Sequence, residues 1–285
     1  MKSRSFRLFI AAALATVFVA VFAHPPIVVA DQAQPAPAGR AQAPRAQTYS
    51  PPRTREGQPD LQGVWRVWNL AKHDIVSHPP RWKAPAGPGV VIGDEIPYQP
   101  WALAKKEENF KNSRSTDPLT SADPLSRCYL PGVPRVTYLG FPFQILQTAD
   151  YVAFVYEWRH VRRIAYLKDI PRLDGLDLWM GSSRARFEGN TLVVDVRNLS
   201  DRTWFDESGN FHSEAARVTE RYTPIGPDTL QYEVTVNDPK VFTREWKMAM
   251  SIQRQKDAPI LEYECHALLE ESGIPITWDR LKYFK

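Results

Sequence analysis

Cysteine is scarce in this sequence, whose 285 residues contain only Cys128 and Cys265. Two thiols without a histidine cluster at ligand spacing do not make a zinc site, and no Cys-x-x-Cys-His haem attachment motif is present. The sequence also lacks glycine-rich nucleotide and phosphate loops, the Gly-x-Ser-x-Gly elbow and the His-Glu-x-x-His pair. These absences argue against nucleotide, serine-hydrolase, zinc-protease and covalent-haem chemistry, and we predict no cofactor and no metal.

The net charge of the chain is also small. Removing Lys2, Arg4 and Arg7 of the basic N-terminus from the formal net charge of +4 leaves +1. A nearly neutral chain has little electrostatic attraction for nucleic acid or an anionic membrane. We therefore predict no nucleic-acid partner.

Long apolar runs are absent except at the start. Basic residues up to Arg7 precede an apolar stretch from Leu8 to Ala23, which small residues follow. This order is typical of an export signal cleaved after Ala23 or Ala30; an uncleaved anchor is the alternative, although the stretch is short for a membrane span. We predict a signal peptide at 1–30, a periplasmic or extracellular location, and no membrane span in the mature protein.

Residues 31–57 consist mainly of Gln, Ala and Pro. Such a segment has too little apolar surface to offset the entropy of the chain, which predicts a disordered linker. In an exported protein, an even number of cysteines favours a disulfide between Cys128 and Cys265. Two buried free thiols are the alternative.

Proline divides the remaining chain unevenly, since nineteen of the 25 prolines lie between Pro25 and Pro142. A regular sheet or helical bundle does not tolerate this density. We expect an irregular insertion at 70–140 with one short helix at 100–112, where Pro100 precedes good helix formers.

After Pro142 the apolar residues alternate with period two, which is typical of half-buried strands. The pattern predicts nine strands, at 143–148, 151–158, 160–167, 183–188, 191–197, 214–223, 229–237, 244–253 and 260–267. Short turns join most of them, so parallel crossovers are not expected. With a first strand at 61–69, we predict an all-β antiparallel meander closed into a barrel that hides its edges.

The first predicted strand contains Gly63-Val64-Trp65. A Gly-x-Trp triplet followed by a long meander resembles the lipocalin-like (calycin) barrels, which implies that Trp65 plugs the closed end. The insertion at 70–140 departs from that family, where a short loop joins the first two strands. We predict a single barrel domain over 58–285.

Further motifs resemble an uncharacterised exported bacterial family: PDLQGVW at 59–65, PYQPW at 97–101, RCYLPGVPR at 127–135, EGNTLVVD at 188–195 and DRTW at 201–204. The resemblance implies export and a disulfide but brings no activity.

The loop 201–214 holds the densest set of reactive side chains. His212 and Glu214 are two residues apart, so both project from one face at the entry to a strand, and a carboxylate beside an imidazole makes a general base. Asp206 supplies a second carboxylate, and Arg202 can steady an oxyanion. The alternative is a turn around Gly209 without catalytic function.

A second set of candidates mixes aromatic and charged groups on neighbouring strands. It predicts ligand contacts from Tyr156, Trp158, His160 and Arg163, together with Arg202 and Trp204 of the loop, around an apolar cavity with a few polar groups. The alternative is an outer face covered by the proline-rich half. The last predicted strand carries Glu262, Glu264 and His266 on one face. A row of this kind is more often exposed to solvent than it is a metal site. His73 and His78 fit no common ligand motif.

Three functions follow from these patterns. The first is an exported protein that binds a small apolar or aromatic ligand in a barrel cavity. The second is a cofactor-independent lyase, isomerase or hydratase that uses His212 with Glu214 or Asp206. The third is a structural or interaction module of the envelope. The sequence does not decide whether the protein is an enzyme, and it carries no signal for an oligomeric state.

Overall fold

The computed structural model of the chain describes residues 49–80, 84–115, 121–171, 173 and 175–271. Nine strands form a closed barrel in chain order, which confirms the predicted all-β barrel. The strands are β1 (Gly63–Val67), β2 (Phe143–Gln147), β3 (Tyr151–Tyr156), β4 (Arg162–Tyr166), β5 (Ser182–Glu188), β6 (Thr191–Arg197), β7 (Arg217–Gly226), β8 (Thr229–Asn237) and β9 (Trp246–Arg254). The predicted signal peptide and most of the predicted linker lie outside the described residues.

The period-two pattern of apolar residues appears in the barrel as alternating burial along the strands. Along β8, Leu230, Tyr232, Val234 and Val236 are buried in the core, while Glu233 is exposed. Successive side chains of a strand point to opposite faces, so every second residue faces the interior. The barrel core is built from this alternation.

The prediction of a last strand at 260–267 is wrong. The end of this segment belongs to a short helix, α2 (Cys265–Glu271), and β9 pairs directly with β1. The sequence CHALLEE is rich in good helix formers, and the apparent alternation before it leaves Leu261 exposed.

The expectation that every strand pair is antiparallel is also wrong, because β4 and β5 pair in parallel. A closed ring of alternating strand directions requires an even number of strands. Nine strands therefore leave one pair that must run in parallel. Residues 167–181 return from one end of the barrel to the other to make this connection.

Trp65 is buried in β1, towards the end of the barrel at which β1 begins. Its indole Nε1 donates to the carbonyl of Leu61 at 2.8 Å, and the Arg254 guanidinium lies 4.2 Å from its ring centroid. Gly63 has a φ of +131°, and a Cβ there would collide with the same guanidinium. The Gly-x-Trp triplet thus supplies both a large ring and the space for the arginine that covers it.

The opposite end is covered by irregular chain. The segments 68–142, 198–216 and 238–245 all connect strands at this end. They include α1 (Pro100–Ser113), which confirms the predicted helix, and two 3-10 helices, η1 (Pro124–Arg127) and η2 (Arg135–Tyr138). Loops gathered at one end of a rigid scaffold are where binding residues often lie.

In the part of the chain that the structure describes, no helix is both long and apolar enough to cross a membrane. Residues 51–57, which the sequence assigns to the linker, form a turn in which Arg53 donates to the side chain of Asn190 at 2.7 Å.

Candidate functional site

A cleft of about 310 Å³ lies at the covered end of the barrel. One part of its lining is aromatic and comes from the chain just before β2, the β3–β4 turn and the chain before α2. The other part is polar and comes from the segment after β1, from η1 and from the loop 198–216. The main lining residues are Phe141, Trp158 and Tyr263 on the aromatic side, and Lys72, His73, Asp123, Ser126, Glu207 and Ser208 on the polar side.

Phe141, Trp158 and Tyr263 form one cluster, which we call the aromatic wall. The ring centroids of Trp158 and Tyr263 are 4.9 Å apart and nearly parallel, and Phe141 lies 4.5 Å from Tyr263 and 5.4 Å from Trp158. Such distances are typical of favourable aromatic pairs. The Trp158 Nε1 is covered from solvent and has no hydrogen-bond partner among the described residues. Trp158 therefore contributes ring surface to the cleft.

A tight turn between β3 and β4 positions the wall. Arg159 and His160 both have a φ of +51°, the left-handed conformation of both central residues in a type I′ hairpin. Residues other than glycine adopt this left-handed conformation at a cost in conformational energy. Contacts with the chain before α2 hold the turn: the backbone N–H of Arg159 donates to the carbonyl of Tyr263 at 3.1 Å, and His160 pairs with Glu264 at 2.7 Å.

The Cys128–Cys265 disulfide is present, with a Cα–Cα distance of 5.6 Å, which confirms the predicted pair. Cys128 follows η1, and Cys265 begins α2 two residues after Tyr263. The guanidinium of Arg159 also donates to the carbonyl of Cys128. The disulfide therefore ties the aromatic wall to η1, which lines the facing part of the cleft.

The polar side contains a histidine–carboxylate pair that sequence reasoning missed. Nδ1 of His73 is 2.7 Å from Oε2 of Glu207. Burial raises the pKa of Glu207, but the hydrogen bond from His73 and the nearby positive charges, that of Arg135 foremost, outweigh this effect, so the net pKa is lowered. These two residues are 134 positions apart, and no local spacing connects them. Only the covering of the barrel end by two separate loops brings them together.

A buried ion pair supports η1 and η2 beneath the cleft. Arg135 donates from both terminal nitrogens to the two oxygens of Asp123, at 2.8 and 2.7 Å. The Asp123 carboxylate also accepts from the backbone N–H of Leu125 at 3.0 Å and so caps η1. The bidentate geometry fixes both 3-10 helices against one another.

Two of the three predicted catalytic residues, His212 and Glu214, line one cleft, whereas Asp206 does not. No hydrogen bond or ion pair joins the side chains of His212, Glu214 and Asp206 in the described structure. Glu214 is exposed and forms an ion pair with Lys240. The hypothesis of a shared catalytic group on this loop stays a prediction.

Both ring nitrogens of His212 are engaged. Nδ1 donates to the carbonyl of Ser213 at 2.9 Å, so Nε2 accepts from the Thr203 hydroxyl at 2.8 Å. Burial lowers the pKa of His212, which keeps the ring neutral. The imidazole thus cross-links its own loop.

Asp206 organises the same loop from inside. Its oxygens accept from the backbone N–H groups of Ile75, Ser208 and Asn210 and from the Asn210 side chain. Burial and the nearby charge of Asp74 raise the pKa of Asp206 to about 7. This is the turn that the sequence offered as the alternative.

A second and larger cleft, of about 670 Å³, lies between α1 and the loop 198–216. His212, Glu214 and Trp204 line it together with Trp101 of α1. Arg202 lies outside this lining, with its guanidinium 4.6 Å from the ring centroid of Trp179.

Two of the predicted ligand contacts, Tyr156 and Arg163, are buried in the barrel interior. Arg163 donates to Ser183 at 2.8 Å and forms an ion pair with Glu220. The second oxygen of Glu220 accepts from the hydroxyls of Tyr222 and Tyr232, at 2.9 and 2.6 Å. Sequence reasoning missed Glu220, whose position inside the barrel follows from the alternation of β7.

The structure does not keep the three side chains of the last predicted strand in one row on a strand. Glu264 pairs with His160, and His266 lies within α2. Among the described residues, no group of three or more His, Cys, Asp or Glu side chains is arranged to hold a metal ion.

Compared with known proteins, the chain matches no protein-family model and no curated protein sequence, so the geometry of the site carries the functional argument.

Proposed function

We propose that the protein is an exported binding protein for a small aromatic ligand, which it holds against the aromatic wall of the cleft. The observation that carries this proposal is the wall itself: three aromatic rings from separate parts of the chain line one side of a cleft. Flat rings recognise flat ligands by offset stacking and edge-to-face contact.

The size of the cleft supports a small ligand. Its volume of about 310 Å³ is near the lower end of the roughly 300–1,000 Å³ range of small-molecule sites. The barrel interior is a less suitable place, because large buried side chains such as Tyr156, Tyr222 and Trp246 occupy it. The ligand site that we propose is therefore at the covered end of the barrel.

Export is part of the proposal. The predicted signal peptide and the Cys128–Cys265 disulfide are both typical of proteins that fold in an oxidising compartment.

Binding of β-methylnaphthalene, measured by equilibrium dialysis, tests the proposal. We expect the Tyr263→Ala variant to bind about tenfold more weakly than the natural protein, because it loses a stacking surface in the cleft. Tyr151→Ala is the matched control, since Tyr151 begins β3 at the opposite end of the barrel and is exposed. Equal affinities for the Tyr263→Ala variant and the natural protein, or no binding to either, would refute the proposed site.

A further inference from the structure

The His73–Glu207 pair determines which nitrogen of the imidazole carries hydrogen. Nδ1 faces a carboxylate oxygen at 2.7 Å, and an ionised carboxylate can only accept a hydrogen bond. Nδ1 is therefore the donor. In the neutral ring, the other nitrogen, Nε2, is then an acceptor.

Nε2 of His73 is available to a ligand. It has no hydrogen-bond partner among the described residues, and it is not one of the unpaired side-chain atoms that are covered from solvent. The His73 side chain is only 16% exposed, and it lines the same cleft as the aromatic wall. A sheltered acceptor therefore stands in a cleft whose other side is aromatic.

Backbone contacts hold the pair in place from both of its loops. The backbone N–H of Glu207 donates to the carbonyl of Lys72 at 3.0 Å, and the Ser208 hydroxyl donates to the carbonyl of His73 at 2.9 Å. On the side of α1, the Ser113 hydroxyl shares its hydrogen between the carbonyl of Glu207 at 3.0 Å and that of Phe110 at 2.9 Å. A group fixed in this way loses little freedom when a ligand binds, which favours directional recognition.

We propose that Nε2 of His73 accepts a hydrogen bond from the hydroxyl of an aromatic ligand, so that the cleft selects phenols and naphthols over aromatics without a hydroxyl. The inference rests on the proposed function and adds the chemical class of the ligand. A ring without a hydroxyl displaces water from Nε2 and leaves this acceptor unpaired, whereas a hydroxylated ring satisfies it. An aromatic carboxylate has no hydrogen to give and gains nothing at this position.

The test compares β-naphthol with β-methylnaphthalene, in which a methyl group of similar size replaces the hydroxyl. We expect the natural protein to bind the naphthol about tenfold more tightly. The His73→Phe variant should bind the two compounds with equal affinity. Retained methylnaphthalene binding shows that the variant is folded and that its cleft is intact.

Glu207→Gln provides a finer measurement, because an amide can either accept from Nδ1 or donate to it. The preferred tautomer is then no longer fixed, so the ratio of the naphthol affinity to the methylnaphthalene affinity should fall towards one. Glu233→Gln is the control. Glu233 is exposed on β8 and does not line the cleft, so its substitution should leave the ratio unchanged.

Three results would overturn the inference: equal affinities of the natural protein for the two compounds, a naphthol preference that survives in His73→Phe, or tightest binding by β-naphthoate. Each of them leaves the proposed function in place as long as methylnaphthalene binds and Tyr263→Ala weakens it. If methylnaphthalene does not bind, the proposed function fails first.

Discussion

Replacing Glu220 by Gln removes one charge from the barrel interior and leaves the shape of the side chain almost unchanged. The natural carboxylate is fully buried, pairs with Arg163 and accepts two tyrosine hydroxyls. A glutamine oxygen can still accept from Tyr222 and Tyr232, but its NH₂ group then faces the guanidinium. The variant therefore isolates the effect of an unpaired buried Arg163.

The expected loss of stability is large. Removing one partner of a buried ion pair costs about 3–5 kcal/mol, because the remaining charge has neither water nor a counter-ion. A domain has a total free energy of unfolding of only about 5–15 kcal/mol. At roughly 2–4 °C per kcal/mol for a domain of this size, the melting temperature should fall by roughly 6–20 °C.

Urea unfolding followed by tryptophan fluorescence measures this change as a shift of the midpoint at constant slope. The matched control is Glu233→Gln, since Glu233 is exposed on the neighbouring strand β8. A surface substitution of this kind should change the free energy of unfolding by no more than about 0.5 kcal/mol.

A double variant makes the reasoning refutable. If the cost comes from the unpaired charge, Arg163→Met combined with Glu220→Gln should be more stable than Glu220→Gln alone, because no buried charge remains. The reasoning is wrong if Glu220→Gln unfolds at the same urea concentration as Glu233→Gln, or if the second substitution adds its full cost to the first.

Three further predictions concern other parts of the barrel. Reducing the disulfide, which joins residues 137 positions apart, should lower the free energy of unfolding by about 5 kcal/mol on a chain-entropy model; a urea midpoint that reductant does not move would contradict this. Burial raises the pKa of Asp206 from 3.8 to about 7, so the stabilisation from its protonated form is complete below about pH 4 and is lost as the pH rises through about 7. Asp74→Asn removes a charge beside Asp206, so the free energy of unfolding of this variant should fall less between about pH 5 and about pH 8 than that of the natural protein. Parallel pH profiles for the variant and the natural protein would argue against an effect of Asp74 on Asp206. Gly63→Ala should destabilise the barrel by about 1–3 kcal/mol through its positive φ and the displaced Arg254, while Gly226→Ala, with open space around its Cβ, should have little effect in the same urea titration.

Much of the fold could be predicted from local patterns. The strands β2 to β9 follow from period-two alternation, and α1 follows from Pro100 and the helix formers after it. These signals are local, because the face to which a side chain points depends only on its place along a strand. The segment 260–267 shows the limit of such signals: eight alternating residues look like a strand, but β9 already pairs with β1, and the helix formers from Cys265 onward end the segment in α2.

The candidate site was less accessible to sequence reasoning. Trp158 was predicted as a ligand contact and lines the cleft, but Phe141 and Tyr263, which complete the wall, carried no signal. The prediction of a histidine–carboxylate pair relied on the two-residue spacing of His212 and Glu214. The pair that the structure holds at 2.7 Å joins His73 to Glu207.

The sequence by itself determined that this protein is a β-barrel with an irregular segment and one disulfide, because alternation, proline content and cysteine count act locally or through composition. Only the tertiary structure decided that nine strands close the ring, that one pair must then be parallel, and that two distant loops meet over one end of the barrel. Strand number and loop contact depend on closure of the whole ring, which no window of sequence contains. The cleft and its His73–Glu207 pair exist because of that closure.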